Sequence, residues 1–385
     1  MRAAEFRCVQ EGQRHARSVA TRPRRTASGP RLIVSNSPET VVEPIGGGSW
    51  PPTLYKYQFS IPTNDPQGLL LWPWHKNGLT EDLEFQIFAS LAGPAPIGTV
   101  LTDRKQEWHN SNEFGGDLEL LGRCIAKIQY HQSFGPAPGD LPLSFAETAL
   151  LPAPVRVSPG ETWGGVFQFR AQSTSPIQLR IRIACRKLGG SWGSWSSEVA
   201  DHIEHICGKW LMSSIVMPWP DLFQVGLPYL PLSIDCTVLK RDGPETSIPN
   251  GFYRDLSDPE ALNPNRGGYG ATIIYSFACL NSDSEPRAVR VYLVGYDDYI
   301  DRPPDEPQTG FWGAAQLVVE PGYEQIYPGW GVPRIRENRP EHDFPNIVPL
   351  HIDAQRNFVP IWVPAGGTRI IRVAMASGGL PRCPQ

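Results

Sequence analysis

The sequence predicts an all-β protein: two antiparallel β-sandwich domains with long Pro/Gly-rich loops and at most one or two short helices. Three observations carry that expectation. Glycine and proline number 37 and 40 among 385 residues, a fifth of the chain where ~12% is usual, and the excess belongs in turns between many short strands. Segments 54–61 and 177–185 alternate apolar and polar residues with period two, as strands with one buried and one wet face do. A hydrophobic fraction of 40% with 12 tryptophans supplies apolar surface for real cores.

In chain order, residues 1–30 carry Arg2, Arg7, Arg14, Arg17, Arg22, Arg24 and Arg25 without the apolar core of a signal peptide. They read as a disordered basic tail, with a targeting segment or an upstream extension as alternatives. Strands are expected at 32–34, 40–42, 54–61, 69–72 and 83–91, whereas 108–116 reads as irregular and 118–130 fits helix or strand. Val155 to Trp163 reads as strand, Pro-Gly turn, strand, and 166–170 with 177–185 as a hairpin. A Gly/Ser/Trp patch at 189–197 precedes the best helix candidate, 198–212, where Val199, Ile203, Ile206 and Trp210 fall at helical spacing. Residues 218–264 are turn-dense, with one strand at 232–239. Gly267-Gly268-Tyr269-Gly270 then leads into a strand at 271–280, a turn at 281–286 and a strand at 288–294, which together read as a hairpin. Further strands are expected at 312–319, 358–363 and 369–375, with 321–357 mostly irregular. The domain organisation is therefore a basic segment at 1–30, one sandwich at 31–220, a connection at 221–264 and a second sandwich at 265–385. No fixed-period repeat emerges, which disfavours propellers and solenoids.

Several function classes lose support at this level. A net charge of −4, mixed along the chain, gives no reason to expect nucleic acid or anionic membrane as partner. No run of eighteen apolar residues marks a transmembrane helix. None of the seven cysteines forms a C-x-x-C pair. Cys185 and Cys279 read as buried strand thiols, while Cys207 and Cys236 are available as a pair in an oxidising compartment. Neither a G-x-S-x-G elbow nor a phosphate-cradling loop is present. His202, Glu204 and His205 lack the H-E-x-x-H spacing and read as a polar helix face. Asp297, Asp298 and Asp301, with Asp305 and Glu306 nearby, offer hard oxygen ligands that suit calcium, or else form a solvated acidic loop. No other cofactor is expected. Trp72, Trp74, Trp192, Trp195, Tyr327 and Trp330 fall on expected loops. There, large rings serve either as flat platforms for sugars or as packing over the sandwich ends.

Taken in order, four landmarks carry a family resemblance: Ser35-Asn36-Ser37-Pro38-Glu39, Val157 to Thr162, Gly267 to Asn281, and Val363-Pro364-Ala365-Gly366-Gly367. The chain resembles a family of secreted or envelope-associated bacterial β-proteins, best represented in cyanobacteria and described only as a domain of unknown function. Arg266-Gly267-Gly268 stands where that family has His-Gly-Asn. The resemblance implies fold and setting and supplies no catalytic residues. The expected function is that of a non-catalytic envelope or secreted protein binding polysaccharide or another surface component through loop aromatics. The alternative is a sandwich hydrolase acting on glycans with carboxylates such as Asp297 or Glu341. The expected location is extracellular, periplasmic or cell envelope if the true start encodes a signal peptide, and cytoplasmic otherwise.

Overall fold

The computed structural model describes residues 26–43 apart from 37 and 39, 53–111 apart from 95, the single positions 124, 127, 128 and 130, 138–224 apart from 200–206 and 211, 270–294 apart from 290, 312–331 apart from 322, 347–350 and 359–379. Regular structure in these residues is β-strand, apart from helical Cys124, Lys127 and Ile128. The chain opens with β1 (Thr26–Ser28), β2 (Arg31–Ser35), β3 (Thr40–Val41), β4 (Thr53–Ile61), β5 (Leu69–Asn77), β6 (Leu83–Leu91) and β7 (Val100–Ser111). Short β8 (Leu141–Pro142), β9 (Thr148–Ala149) and β10 (Val155–Val157) precede the long β11 (Thr162–Gln172) and β12 (Ile177–Lys187). Then come β13 (Cys207–Trp210), β14 (Ser214–Gln224), β15 (Thr272–Leu280), β16 (Arg287–Val289) and β17 (Val291–Val294). The last five are β18 (Trp312–Glu320), β19 (Tyr323–Gly331), β20 (Ile347–Leu350), β21 (Ile361–Val363) and β22 (Thr368–Gly379).

Two sheets face each other in the first half. Sheet I has the order β13-β2-β5-β11-β7-β8, and sheet II the order β10-β6-β12-β4. The period-two pattern explains how they meet. Ile177, Leu179, Ile181 and Ile183 of β12 and Phe59 and Ile61 of β4 point inward, against Leu69, Leu71, Trp163 and Phe167 of sheet I. Each such side chain contributes roughly 1.5–3 kcal/mol by leaving water. Sheet I is buried on its other face too, where Leu32, Val34, Leu70, Trp72 and Val166 are shielded. A strand buried on both faces needs no alternation, hence the unbroken Leu69-Leu70-Leu71-Trp72 run. Gly164 fits the same sheet because the Trp74 ring lies where its Cβ would be.

Sheet III, β1-β14-β15-β22-β18-β19, dominates the second half, with separate two-stranded ladders β16–β21 and β17–β20. Its connectivity repeats that of sheet I. A short edge strand pairs antiparallel with β2 or β14, which runs parallel to β5 or β15. That strand pairs antiparallel with β11 or β22, and the next neighbour is β7 or β18. The corner after each central strand is held by an asparagine. Asn77 donates to the Glu81 and Val157 carbonyls, both at 2.9 Å, and accepts from the Leu79 N–H. Asn281 donates to the carbonyls of Glu285, Val363 and Pro364 at 2.8–3.1 Å and accepts from the Asp283 N–H.

The two halves are joined by an exchange of strands. β1 pairs with β14 of sheet III (Ser28 opposite Ser214), and β13 pairs with β2 of sheet I (Leu32 opposite Trp210). Three residues lie between Ser28 and Leu32 and three between Trp210 and Ser214, so one antiparallel ribbon runs through both sheets.

Several expectations from the sequence change. The strand, Pro-Gly turn and strand expected at 155–163 are present as β10, the turn and the start of β11, whereas the two expected hairpins are corners between sheets: β12 pairs with β4 and β6, β16 with β21, and neither pairs with its sequence neighbour. The expected helix at 198–212 contains β13 at 207–210, because pairing with β2 overrides the helical spacing of its apolar residues. Residues 108–111 belong to β7 and 323–331 to β19 rather than to irregular segments, and Thr26–Ser28, ahead of Arg31, already form a strand. The β2–β5, β3–β5 and β14–β15 pairs are parallel, so the sheets are not purely antiparallel. The expected strand at 232–239 lies outside the described residues.

Candidate functional site

The polar side of β4 and β12 forms the outer face of sheet II. Register places Ser60 opposite Gln178, Gln58 opposite Arg180 and Lys56 opposite Arg182. The side chains form a directed chain of hydrogen bonds. Arg180 Nε donates to Gln58 Oε1 (3.1 Å), Gln58 Nε2 to Gln178 Oε1 (3.4 Å), and Gln178 Nε2 to Ser60 Oγ (2.8 Å). Gln58, Ser60 and Gln178 are exposed and Arg180 is half-buried.

Two like charges face each other across the strands at Lys56 and Arg182, an arrangement that destabilises a sheet unless each finds partners. Arg182, only 1% exposed, is held by a bidentate Glu147 carboxylate at 2.6 Å and also donates to the Trp192 carbonyl at 2.8 Å. Lys56 donates to the carbonyls of Trp195 and Ser197 at 3.1 and 3.0 Å. These two cations thus tie the Gly/Ser/Trp segment after β12 down onto the sheet. A turn at 194–197, closed by the Ser197 N–H on the Ser194 carbonyl, stiffens it further.

The tied segment sets two half-buried indoles beside the polar ladder. Arg186 stacks over Trp192 at 4.3 Å, and Phe88 meets that ring edge-on at 5.5 Å. Arg180 and Lys56 lie 4.8 and 5.8 Å from the Trp195 ring centroid. Cation–ring contacts of this kind contribute ~0.5–1 kcal/mol each at exposed sites.

The other expected site residues fall elsewhere. Trp72 and Trp74 lie in β5, not on a loop. Trp72 is 1% exposed and Gly270, at the head of β15, packs near it, so the ring has no surface to offer. Tyr327 and Trp330 lie in β19, and their side chains are outside what the structure describes. Asp297, Asp298, Asp301, Glu341 and the His202–His205 group lie outside the described residues. Among the described residues no three His, Cys, Asp or Glu side chains come together as a metal site. Cys124, Cys185, Cys207 and Cys279 are buried and form no disulfide among the described residues, and Cys236 lies outside them. No helix among the described residues is long and apolar enough to cross a membrane.

The Gln58–Gln178–Ser60 ladder was missed by sequence reasoning. Its members show as the polar half of the alternation in 54–61 and 177–185, but only the register reveals that they adjoin the tryptophan segment. Compared with known proteins, the chain matches no family model, and no curated protein matches it.

Proposed function

We propose that the protein is a non-catalytic binding protein of a secreted or cell-envelope setting, and that it engages polysaccharide through the outer face of sheet II around Trp195. One observation carries this reading: a half-buried indole held rigidly beside a flat row of amide and hydroxyl groups. Indole faces match the apolar faces of sugar rings, and amides and hydroxyls can both donate to and accept from sugar hydroxyls. The ladder leaves capacity for this, because each amide spends one N–H within it. Preorganisation also favours binding, since Lys56 and Arg182 have already ordered the segment that carries the ring.

The test is co-sedimentation of the full-length protein with a panel of insoluble polysaccharides, comparing wild type with Trp195→Ala. Trp72→Phe serves as a control for a buried tryptophan remote from the ladder. Loss of sedimentation in Trp195→Ala alone is the expected result. Equal sedimentation of all three proteins would remove Trp195 from any binding role.

A further inference from the structure

We propose that this face selects acidic polysaccharides, those bearing carboxylate groups on the sugar. The inference rests on the polysaccharide reading of the same face and adds the charge of the ligand. Five cations stand on the outer side of sheet II: Lys56, Arg156, Arg180, Arg182 and Arg186. Three are neutralised, Arg156 by Asp82, Arg182 by Glu147 and Arg186 by Glu84, the last two at 2.6 Å. Lys56 and Arg180 have no carboxylate partner among the described residues. Lys56 spends two N–H groups on backbone carbonyls. Arg180 spends Nε on Gln58 and lays its guanidinium over Trp195.

That arrangement leaves the terminal nitrogens of Arg180 as a planar fork, oriented by both the ring and the ladder. A guanidinium fork matches a carboxylate in a bidentate manner, and the pairing is about twice as strong as a neutral hydrogen bond. Gln58, Gln178 and Ser60 extend from it along the strands and serve the hydroxyls of neighbouring sugars. A neutral polymer would leave two cations uncompensated beside the bound chain, whereas a uronate polymer supplies their counter-charge.

The full-length protein is run in native gels cast with polygalacturonate, dextran or poly-glutamate, which separate acidic sugar, neutral sugar and acidic polymer without sugar. Retardation by polygalacturonate is expected at roughly tenfold lower polymer concentration than by dextran, with poly-glutamate ineffective. Arg180→Gln is expected to weaken the polygalacturonate effect about tenfold and any dextran effect by clearly less, with Arg180→Lys intermediate. Equal retardation by dextran and polygalacturonate, with Arg180→Gln silent, would overturn the acidic preference while the polysaccharide reading stands. Retardation by neither sugar overturns both. Equal retardation by poly-glutamate would mean general anion binding and also overturns the proposal.

Discussion

His75 sits at the centre of the first sandwich, stacked near Phe85 and Trp163 at centroid distances of 6.2 and 6.4 Å. Its Nδ1 lies 2.8 Å from the Pro38 carbonyl and its Nε2 3.0 Å from the Ser35 hydroxyl. A carbonyl only accepts, so Nδ1 carries the proton, and in the neutral ring Nε2 accepts from Ser35. The Ser-Asn-Ser-Pro-Glu segment, conspicuous in the sequence, is thus fastened at Ser35 and Pro38 by one imidazole. His75→Phe keeps the stacking and orphans a buried hydroxyl and carbonyl, so a loss of about 2–4 kcal/mol is expected in urea unfolding. Adding Ser35→Ala should recover part of it; an unchanged midpoint in His75→Phe would deny the fastening any role. Buried thiols give a second residue-scale prediction. Burial pushes Cys124 up to about 12 and Cys279 up to about 11, and raises Cys207 as well. A thiol whose folded pKa is raised contributes stability that is complete below the unfolded value of ~8.5 and is lost as pH climbs through the folded value. The unfolding midpoint should therefore fall between about pH 9 and 12. Iodoacetamide at pH 8 should leave Cys124, Cys185, Cys207 and Cys279 unlabelled until denaturant is added, as peptide mass spectrometry can check. Labelling of any of the four in the native protein would contradict their burial.

Among the larger elements, the strap formed by residues 188–199 depends on an ion pair that the sequence does not disclose. Arg182 and Glu147 are 35 residues apart, and the arginine is 1% exposed while the carboxylate is 18% exposed. Removing the carboxylate strands a buried cation, which costs about 3–5 kcal/mol, whereas removing the arginine leaves a carboxylate that reaches water. Glu147→Ala should therefore destabilise more than Arg182→Met in denaturant titrations followed by tryptophan fluorescence; the reverse order would show that the guanidinium is not balanced by Glu147. The same contrast between element and partner decides how much of the fold was legible. The strand at 177–185 could be read from its alternation, and the turns from Pro159-Gly160 and from Asn281 to Pro286. What those residues do not encode locally is whether a turn closes a hairpin or rounds a corner. Asn77 and Asn281 hold the corners with bonds to carbonyls of Val157 and Val363, some eighty positions away in each case. Local propensity cannot express that distance. The site was half legible for the same reason: the Trp192–Trp195 patch stands out in composition, but the amide ladder beside it exists only through the register of β4 with β12.

For the molecule as a whole, the ribbon of β1–β2 against β13–β14 has consequences that a simple two-sandwich reading does not. β1 and β14 belong to sheet III but lie in the first 224 residues, whereas β15, β22, β18 and β19 come from beyond residue 270. A cut anywhere between Gln224 and Gly270 therefore divides sheet III between the two fragments. Fragment 270–385 alone would leave the long parallel edge of β15 bare, and fragment 1–224 would present β14 without its neighbour; unpaired edges of this kind aggregate. Expressed separately, each fragment should be insoluble or lack a cooperative transition, and co-expressed they should purify as one soluble complex. The intact chain should unfold in a single transition, because loss of either sheet removes a strand from the other. Gly270 offers a point test of that coupling. It holds a φ of +70°, and a Cβ there would stand 2.7 Å from Leu32 Cδ1 in sheet I, so Gly270→Val burdens the contact between the halves. If the halves are welded, that substitution lowers the midpoint of the single transition as followed by tryptophans of either half. If fragment 270–385 folds alone with a sharp two-state transition, or if Gly270→Val splits the unfolding into two steps with the first half unaffected, the ribbon is a contact and not a weld.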